Sequence, residues 1–91
     1  MDKREKMVMM DKIIRELEDV TNSQTSVLKK IGQLEAENIN LGDSFLEKGL
    51  PEIYEHADGA LTQATALHAA FTESRDKFVK DNKLDEPAET A

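Results

Sequence analysis

Apolar side chains recur every three or four residues through the first half of the chain. This spacing places them on one face of an α-helix, which turns once every 3.6 residues. Of eleven successive positions, only Gln24 and Asn38 are polar. The pattern predicts one long helix over about residues 3–41, with this stripe: Met10, Ile13, Leu17, Val20, Gln24, Val27, Ile31, Leu34, Asn38, Leu41 and Phe45.

A polar run at residues 21–26 offers an alternative to this long helix. Its Thr, Asn, Ser and Gln side chains can hydrogen-bond to nearby backbone and so compete with a helix. A break near Asn22 would give a three-helix bundle. The apolar spacing passes through the run unshifted, and the run holds no Gly or Pro, which favours a continuous helix.

The second half of the chain predicts another helix. Gly42 suits a left-handed helix cap, Ser44 and Glu47 match a capping box, and Pro51 suits a first helical position. We therefore expect a connector at about 42–50 and a second helix at about 51–80. Its stripe contains Ile53, Ala57, Ala60, Ala64, Leu67, Phe71, Ser74 and Phe78.

Together the two stripes predict an all-α protein, a long antiparallel helical hairpin of the coiled-coil kind over residues 1–80. Leu17, Val20, Val27, Ile31 and Leu34 are expected to face the alanines, Leu67 and Phe71 of the second helix. Residues 81–91 lose the periodicity and contain Pro87, so they predict a disordered acidic tail.

The amino-acid composition limits the classes of partner that this chain is expected to bind. The net charge is −7, and residues 51–91 carry 4 basic against 9 acidic residues. Such a surface repels phosphates and anionic lipid, so we expect neither nucleic acid nor membrane as a partner. The chain has no cysteine, and its longest apolar run is four residues, so nothing indicates a disulfide or a membrane span.

The residues that could carry chemistry are few. His56 and His68 are the only histidines, and twelve residues of helix place them about 120° apart, too far round to share a metal. Glu52 and His56 form a pair without a third ligand. We expect no enzyme activity, no metal site and no cofactor.

Some apolar side chains lie beside the predicted stripes, where a single neighbouring helix would leave them wet. These side chains are the predicted partner contacts: Ile14, Leu28, Ile39 and Leu61, together with Met7 and Met10 in the methionine-rich first turns. The partner is expected to be another helical protein or a second copy.

The segment Tyr54-Glu55-His56-Ala57-Asp58 fits an aromatic-x-x-x-acid pattern. With its hairpin layout and glycine-bearing turn, the chain resembles the small Trp-x-Gly type proteins of type VII (ESX) secretion and the helical proteins associated with LXG toxins. In those proteins the pattern is an export signal near the end of helix 2, whereas here it lies at the start. The resemblance makes Tyr54 and Asp58 a candidate export motif.

The expected function is that of a non-enzymatic protein that pairs with another helical protein, as a secretion partner or a targeting factor for a toxin. One alternative is a cytoplasmic chaperone that resembles the hairpin co-chaperones of type III secretion. Another is an acidic inhibitor or antitoxin that covers a basic site. The expected location is the cytoplasm, with export by a system that needs no signal peptide as the further possibility.

Overall fold

A computed structural model describes residues 1–85 of the chain. Two helices, α1 (Lys3–Leu41) and α2 (Ser44–Asp81), fold back on each other as an antiparallel hairpin. The result is a rod of 72 × 18 × 16 Å. The predicted all-α hairpin is confirmed.

Helix α1 is continuous through the polar run, so the three-helix alternative is wrong. The hydroxyl of Thr21 donates to the carbonyl of Glu18 at 2.8 Å, and that of Thr25 donates to the carbonyl of Thr21 at 2.9 Å. These hydroxyls bond within the helix instead of competing with it. At its start, Asp2 and Glu5 form a reciprocal capping box.

The connector is shorter than predicted. Helix α2 begins at Ser44, so the expected connector at 42–50 and the start at Pro51 are wrong. Asp43 caps α2 by accepting from the Leu46 N–H at 3.0 Å, and Pro51 lies inside the helix. Proline signals a helix start because it lacks an N–H, and inside a helix it removes a backbone hydrogen bond at a cost of about 3 kcal/mol, so other contacts must hold the turn at this place.

Asn38 provides those contacts. Its Oδ1 accepts from the Asp43 N–H at 2.9 Å, and its Nδ2 donates to the Asp43 carbonyl at 3.1 Å. Gly42, with φ of 70°, donates its N–H to the Asn38 carbonyl and ends α1 in the left-handed conformation. The buried amide therefore closes a two-residue turn.

Helix α2 ends in a cap that the sequence did not predict. Lys83 adopts a positive φ of 56°, and the Leu84 N–H donates to the Val79 carbonyl at 2.9 Å. This is the Schellman arrangement. The predicted disordered tail is thus wrong for residues 81–85, which are helical or in turns, while residues 86–91 lie outside the described part of the chain.

The rotation of α1 about its axis differs from the prediction. Three residues of a helix fall about 60° short of a full turn. Asp11, Ile14, Leu17 and Val20 therefore lie in this order around the circumference of α1, each about 60° from the one before. Ile14 and Leu17 are half-buried, whereas Val20 is exposed. Two heptad rows therefore face α2: Met7, Ile14, Thr21, Leu28 and Glu35, and Met10, Leu17, Gln24, Ile31 and Asn38.

The row of Val20, Val27 and Leu34, expected in the hairpin core, is consequently exposed, and that prediction is wrong. Helix α2 shows the same shift. Leu67 and Ile53 are exposed, while Ala57, Ala60, Ala64, Phe71 and Phe78 are half-buried as expected. The core is thin: Ile31, Leu50, Val79 and Asn38 are the buried residues of the described chain.

Candidate partner-binding surface

The long sides of the hairpin differ in chemistry, and contacts between the helices define one of them as a polar flank. Arg75 donates from Nε to Asp11 Oδ1 at 2.7 Å and from a terminal nitrogen to Asp76 at 3.2 Å. One heptad further on, His68 Nε2 lies 3.6 Å from a Glu18 carboxylate oxygen. We call the side with these four cross-helix residues, Asp11, Glu18, His68 and Arg75, the polar flank.

The ion pair of Asp11 and Arg75 is the main electrostatic contact of this flank. The hydrogen bond that Arg75 donates to Asp11 raises the pKa of the Arg75 guanidinium, although partial burial opposes the shift. The two side chains are 27 % and 33 % exposed, so the ion pair is partly shielded from water. Opposite charges in this setting orient two helices more than they stabilise them.

The other side is located by Lys6, whose Nζ lies 5.4 Å from the centre of the Phe78 ring. Positions seven residues apart share a helix face in a hairpin of this kind, so Ile13 and Val20 lie on the same side as Lys6. On α2, Arg75 lies on the polar flank, and each step of three residues, first to Phe78 and then to Asp81, moves about 60° around the helix away from that flank. Leu67, two heptads before Asp81, therefore lies on the side of Lys6.

We call this side the apolar flank. It carries large side chains from both helices, with Ala60 between the two of α2: Ile13, Val20, Val27, Leu34 and Leu41 on α1, and Ile53 and Leu67 on α2. Their exposed fractions run from 38 % at Ile13 and Leu34 to 71 % at Leu41. Seven exposed large apolar side chains along one side of the hairpin make it a candidate protein interaction site.

The residues predicted to contact a partner have other places. Ile14, Leu28 and Leu61 are half-buried in the rows between the helices. Ile39 is 83 % exposed but extends the row of Asp11 and Glu18 on the polar flank. A partner contact through these four residues stays a prediction. Because three of them are half-buried, they expose less apolar surface than the apolar flank does.

The methionine-rich end divides in a similar way. Met7 and Met10 are half-buried, whereas Met1, Val8 and Met9 are exposed. The exposed group lies beside basic side chains, namely Arg4, Lys12 and Arg15. The end of the rod where α1 begins therefore combines apolar side chains with three basic ones and Glu5.

The two residues of the candidate export motif, Tyr54 and Asp58, lie about one turn apart on α2. Tyr54 is 40 % exposed, and Asp58 is exposed as well. Both side chains are accessible from solvent, as a recognition motif requires, and their role stays a prediction.

The histidines take different environments. His56 is exposed, whereas His68 lies between the helices with its Nε2 buried and without a hydrogen-bond partner in the described residues. Within residues 1–85, no group of three or more His, Asp or Glu side chains is placed to hold a metal ion.

Sequence reasoning missed two sets of contacts, the Asp11–Arg75 pair and the Asn38 amide bridge. The pair joins residues 64 positions apart, and no local pattern shows such a link. A signal did exist, because Asp11 and Arg75 each stand beside an apolar stripe where a charge needs a partner.

Comparisons of the chain with protein-family models, with curated proteins and with solved structures give no match. Neither helix has an apolar stretch of the length needed to cross a bilayer, as judged over residues 1–85.

Proposed function

We propose that this chain is a non-catalytic interaction protein that pairs with helices through its apolar flank. The observation that carries the proposal is the contrast between the flanks: on one side Asp11 and Arg75 pair across the helices, while on the other seven large apolar side chains are exposed. Burial of apolar area contributes about 25 cal/mol per Å², so covering this row favours association strongly.

The test compares two exposed valines. Val27→Ser removes apolar surface from the apolar flank, and Val8→Ser makes the same change on another face of α1. Association, followed by light scattering and by co-purification with a helical protein from the native cell, should weaken about tenfold or more for Val27→Ser. Helicity, followed by circular dichroism, should stay unchanged in both variants.

Equal behaviour of the two variants would remove the support for the apolar flank as the contact surface. A loss of helicity in Val27→Ser alone would show that Val27 belongs to the core of the hairpin. Leu67→Ser on α2 provides a second variant of the same surface, since Leu67 is 56 % exposed.

The finer proposal is a role in secretion, as a secretion partner or a toxin-targeting factor. It is supported by the accessible Tyr54 and Asp58, which lie one turn apart on α2. Tyr54→Ala and Asp58→Ala should abolish export of the complex into the culture medium and leave pairing intact, because neither residue lies on the apolar flank. Normal export of both variants would contradict this role, and Glu55→Ala is the neighbouring control.

A further inference from the structure

We infer that a second copy of this chain covers the apolar flank, with the turns of the two hairpins at opposite ends of a four-helix bundle. The inference rests on the proposed function, because it names the occupant of the surface proposed there. In this arrangement α1 packs antiparallel to α1 of the second copy, and α2 packs antiparallel to α2.

The apolar row of α1 is complementary to itself when reversed. About a midpoint next to Ser23, Val20 comes opposite Val27, and Ile13 comes opposite Leu34. The contact of Asp11 with Arg75 fixes which residues of α2 lie level with this midpoint. At this level, to within about one residue, Leu67 of one copy comes opposite Ala60 of the second copy. A large side chain therefore meets a small one.

The charges beside this row are complementary in the same reversal. Glu16 and Lys30 stand seven residues before and after Ser23, next to the apolar row, and both are exposed. Each Glu16 therefore meets Lys30 of the second copy, and the two-fold symmetry makes the pair twice. Exposed pairs contribute little energy, but they select orientation.

The opposite orientation, with both turns at one end, lacks these pairs. The hairpin register seen at Asp11–Arg75 and Glu18–His68 would then place Lys30 next to His56, and Glu16 next to Ala70. It would also bring two acidic turn halves together, since residues 29–58 carry 3 basic against 7 acidic residues, a net charge of −4. Residues 1–20 and 68–85, which face the turn half in our arrangement, carry 9 against 10.

The surface is large enough for a specific dimer. At a rise of about 1.5 Å per residue, the part of the row that meets itself in this reversal, from Ile13 to Leu34, is roughly 32 Å long. With the 18 Å width of the rod, this gives on the order of 570 Å² on each copy. The total of about 1,140 Å² exceeds the roughly 1,000 Å² that a specific interface should clear.

The chain has no cysteine, so single thiols can report the geometry. In the full chain, Ser23→Cys places one thiol beside the two-fold axis, where the Cα atoms of the two copies come within disulfide range. Asn22→Cys is the matched control, because one residue turns its side chain by about 100° away. Under mild oxidation Ser23→Cys should become a covalent dimer within the time that Asn22→Cys remains monomeric.

Two results would overturn the inference. One is a Ser23→Cys variant that is helical but forms no more covalent dimer than Asn22→Cys. The other is a double variant, Lys30→Cys with His56→Cys, that cross-links between chains, since only hairpins with both turns at one end bring these positions together.

Charge reversal gives an independent readout on the uncrosslinked protein. Glu16→Lys and Lys30→Glu should each weaken the dimer about tenfold in sedimentation equilibrium, whereas the double variant should restore it. Failure of rescue contradicts the paired orientation.

The inference and the proposed function can fail separately. A protein that gives no Ser23→Cys dimer, yet still captures a different helical protein in a Val27-dependent manner, keeps the proposed function and loses the second copy as occupant. A Val27→Ser variant that associates as well as Val8→Ser loses both.

Discussion

The polar and apolar flanks are built from the same two helices, yet they stand in opposite states. On the polar flank, Asp11 and Arg75 form an ion pair across the hairpin, and His68 lies 3.6 Å from Glu18 of the other helix. On the apolar flank, Val20, Val27 and Leu34 have no such neighbours and remain exposed. The stripe of α1 is wider than one helix can cover, and the hairpin covers only the part next to its charges.

The difference shows how polar contacts decide where apolar surface is left. Apolar burial alone would allow two rotations of α1. The row with Leu17 and Ile31 faces α2 in both, accompanied either by the row of Ile14 or by the row of Val20. The Asp11–Arg75 pair at one end and the Asn38 amide at the other set the rotation of α1. That rotation places Ile14 inside and Val20 outside.

The largest expected effect separates the covered row from the open one. Ile31 is 5 % exposed, and Ile31→Ala should lower the free energy of unfolding by about 2–4 kcal/mol at every protein concentration. Leu34→Ala, at an exposed position three residues later, should matter only at concentrations where the chain associates. Urea denaturation at two protein concentrations measures both, and equal losses in dilute solution would contradict the assignment of the rows.

The turn amide is expected to rank next. Asn38→Ala removes the acceptor of the partly buried Asp43 N–H, while the Asp43 carbonyl keeps its hydrogen bond from the Glu47 N–H; the loss should cost about 1–2 kcal/mol. Asn40→Ala, at an exposed position of the same helix, should change the free energy of unfolding by under about 0.5 kcal/mol. If Asn38→Ala proves as mild as Asn40→Ala, the amide does not fix the rotation of α1.

The ion pair of the polar flank should contribute less. A double-mutant cycle with Asp11→Ala and Arg75→Ala should give a coupling energy of about 0.5–1 kcal/mol, because the pair is only partly shielded. Raising the salt concentration should reduce it. A coupling near zero in low salt would mean that the polar flank does not orient the helices.

The smallest effect concerns the cap of α1, outside both flanks. Hydrogen bonds from Glu5, its backbone N–H first, lower the pKa of Asp2 below its ordinary value of 3.8. The stabilisation that ionised Asp2 gives to the start of α1 is therefore fully present above pH 3.8, and it is lost as the pH falls through the lower pKa of the folded state. The protection factors of the amides at residues 3–6, which allow for the slower intrinsic exchange in acid, should fall over this window, and Asp2→Asn should remove most of that pH dependence.

The sequence predicts the helices well and their mutual rotation poorly. The spacing of Met10, Leu17 and Ile31 defines a helix whatever it packs on, so α1 follows from local pattern alone. The row that enters the hairpin depends on contacts such as Asp11 with Arg75, which join distant residues. The same limit applies to the site, because the apolar flank is whatever the hairpin leaves uncovered.

Footprinting of side chains by a small reactive probe, at protein concentrations below and above association, can show which row of α1 a partner covers. We expect Val20, Val27 and Leu34 to be labelled in dilute solution and protected on association. Val8 and Ile39, exposed elsewhere on α1, should keep their labelling. Protection of Val8 and Ile39 with continued labelling of Val20, Val27 and Leu34 would contradict the assignment of the apolar flank as the contact surface.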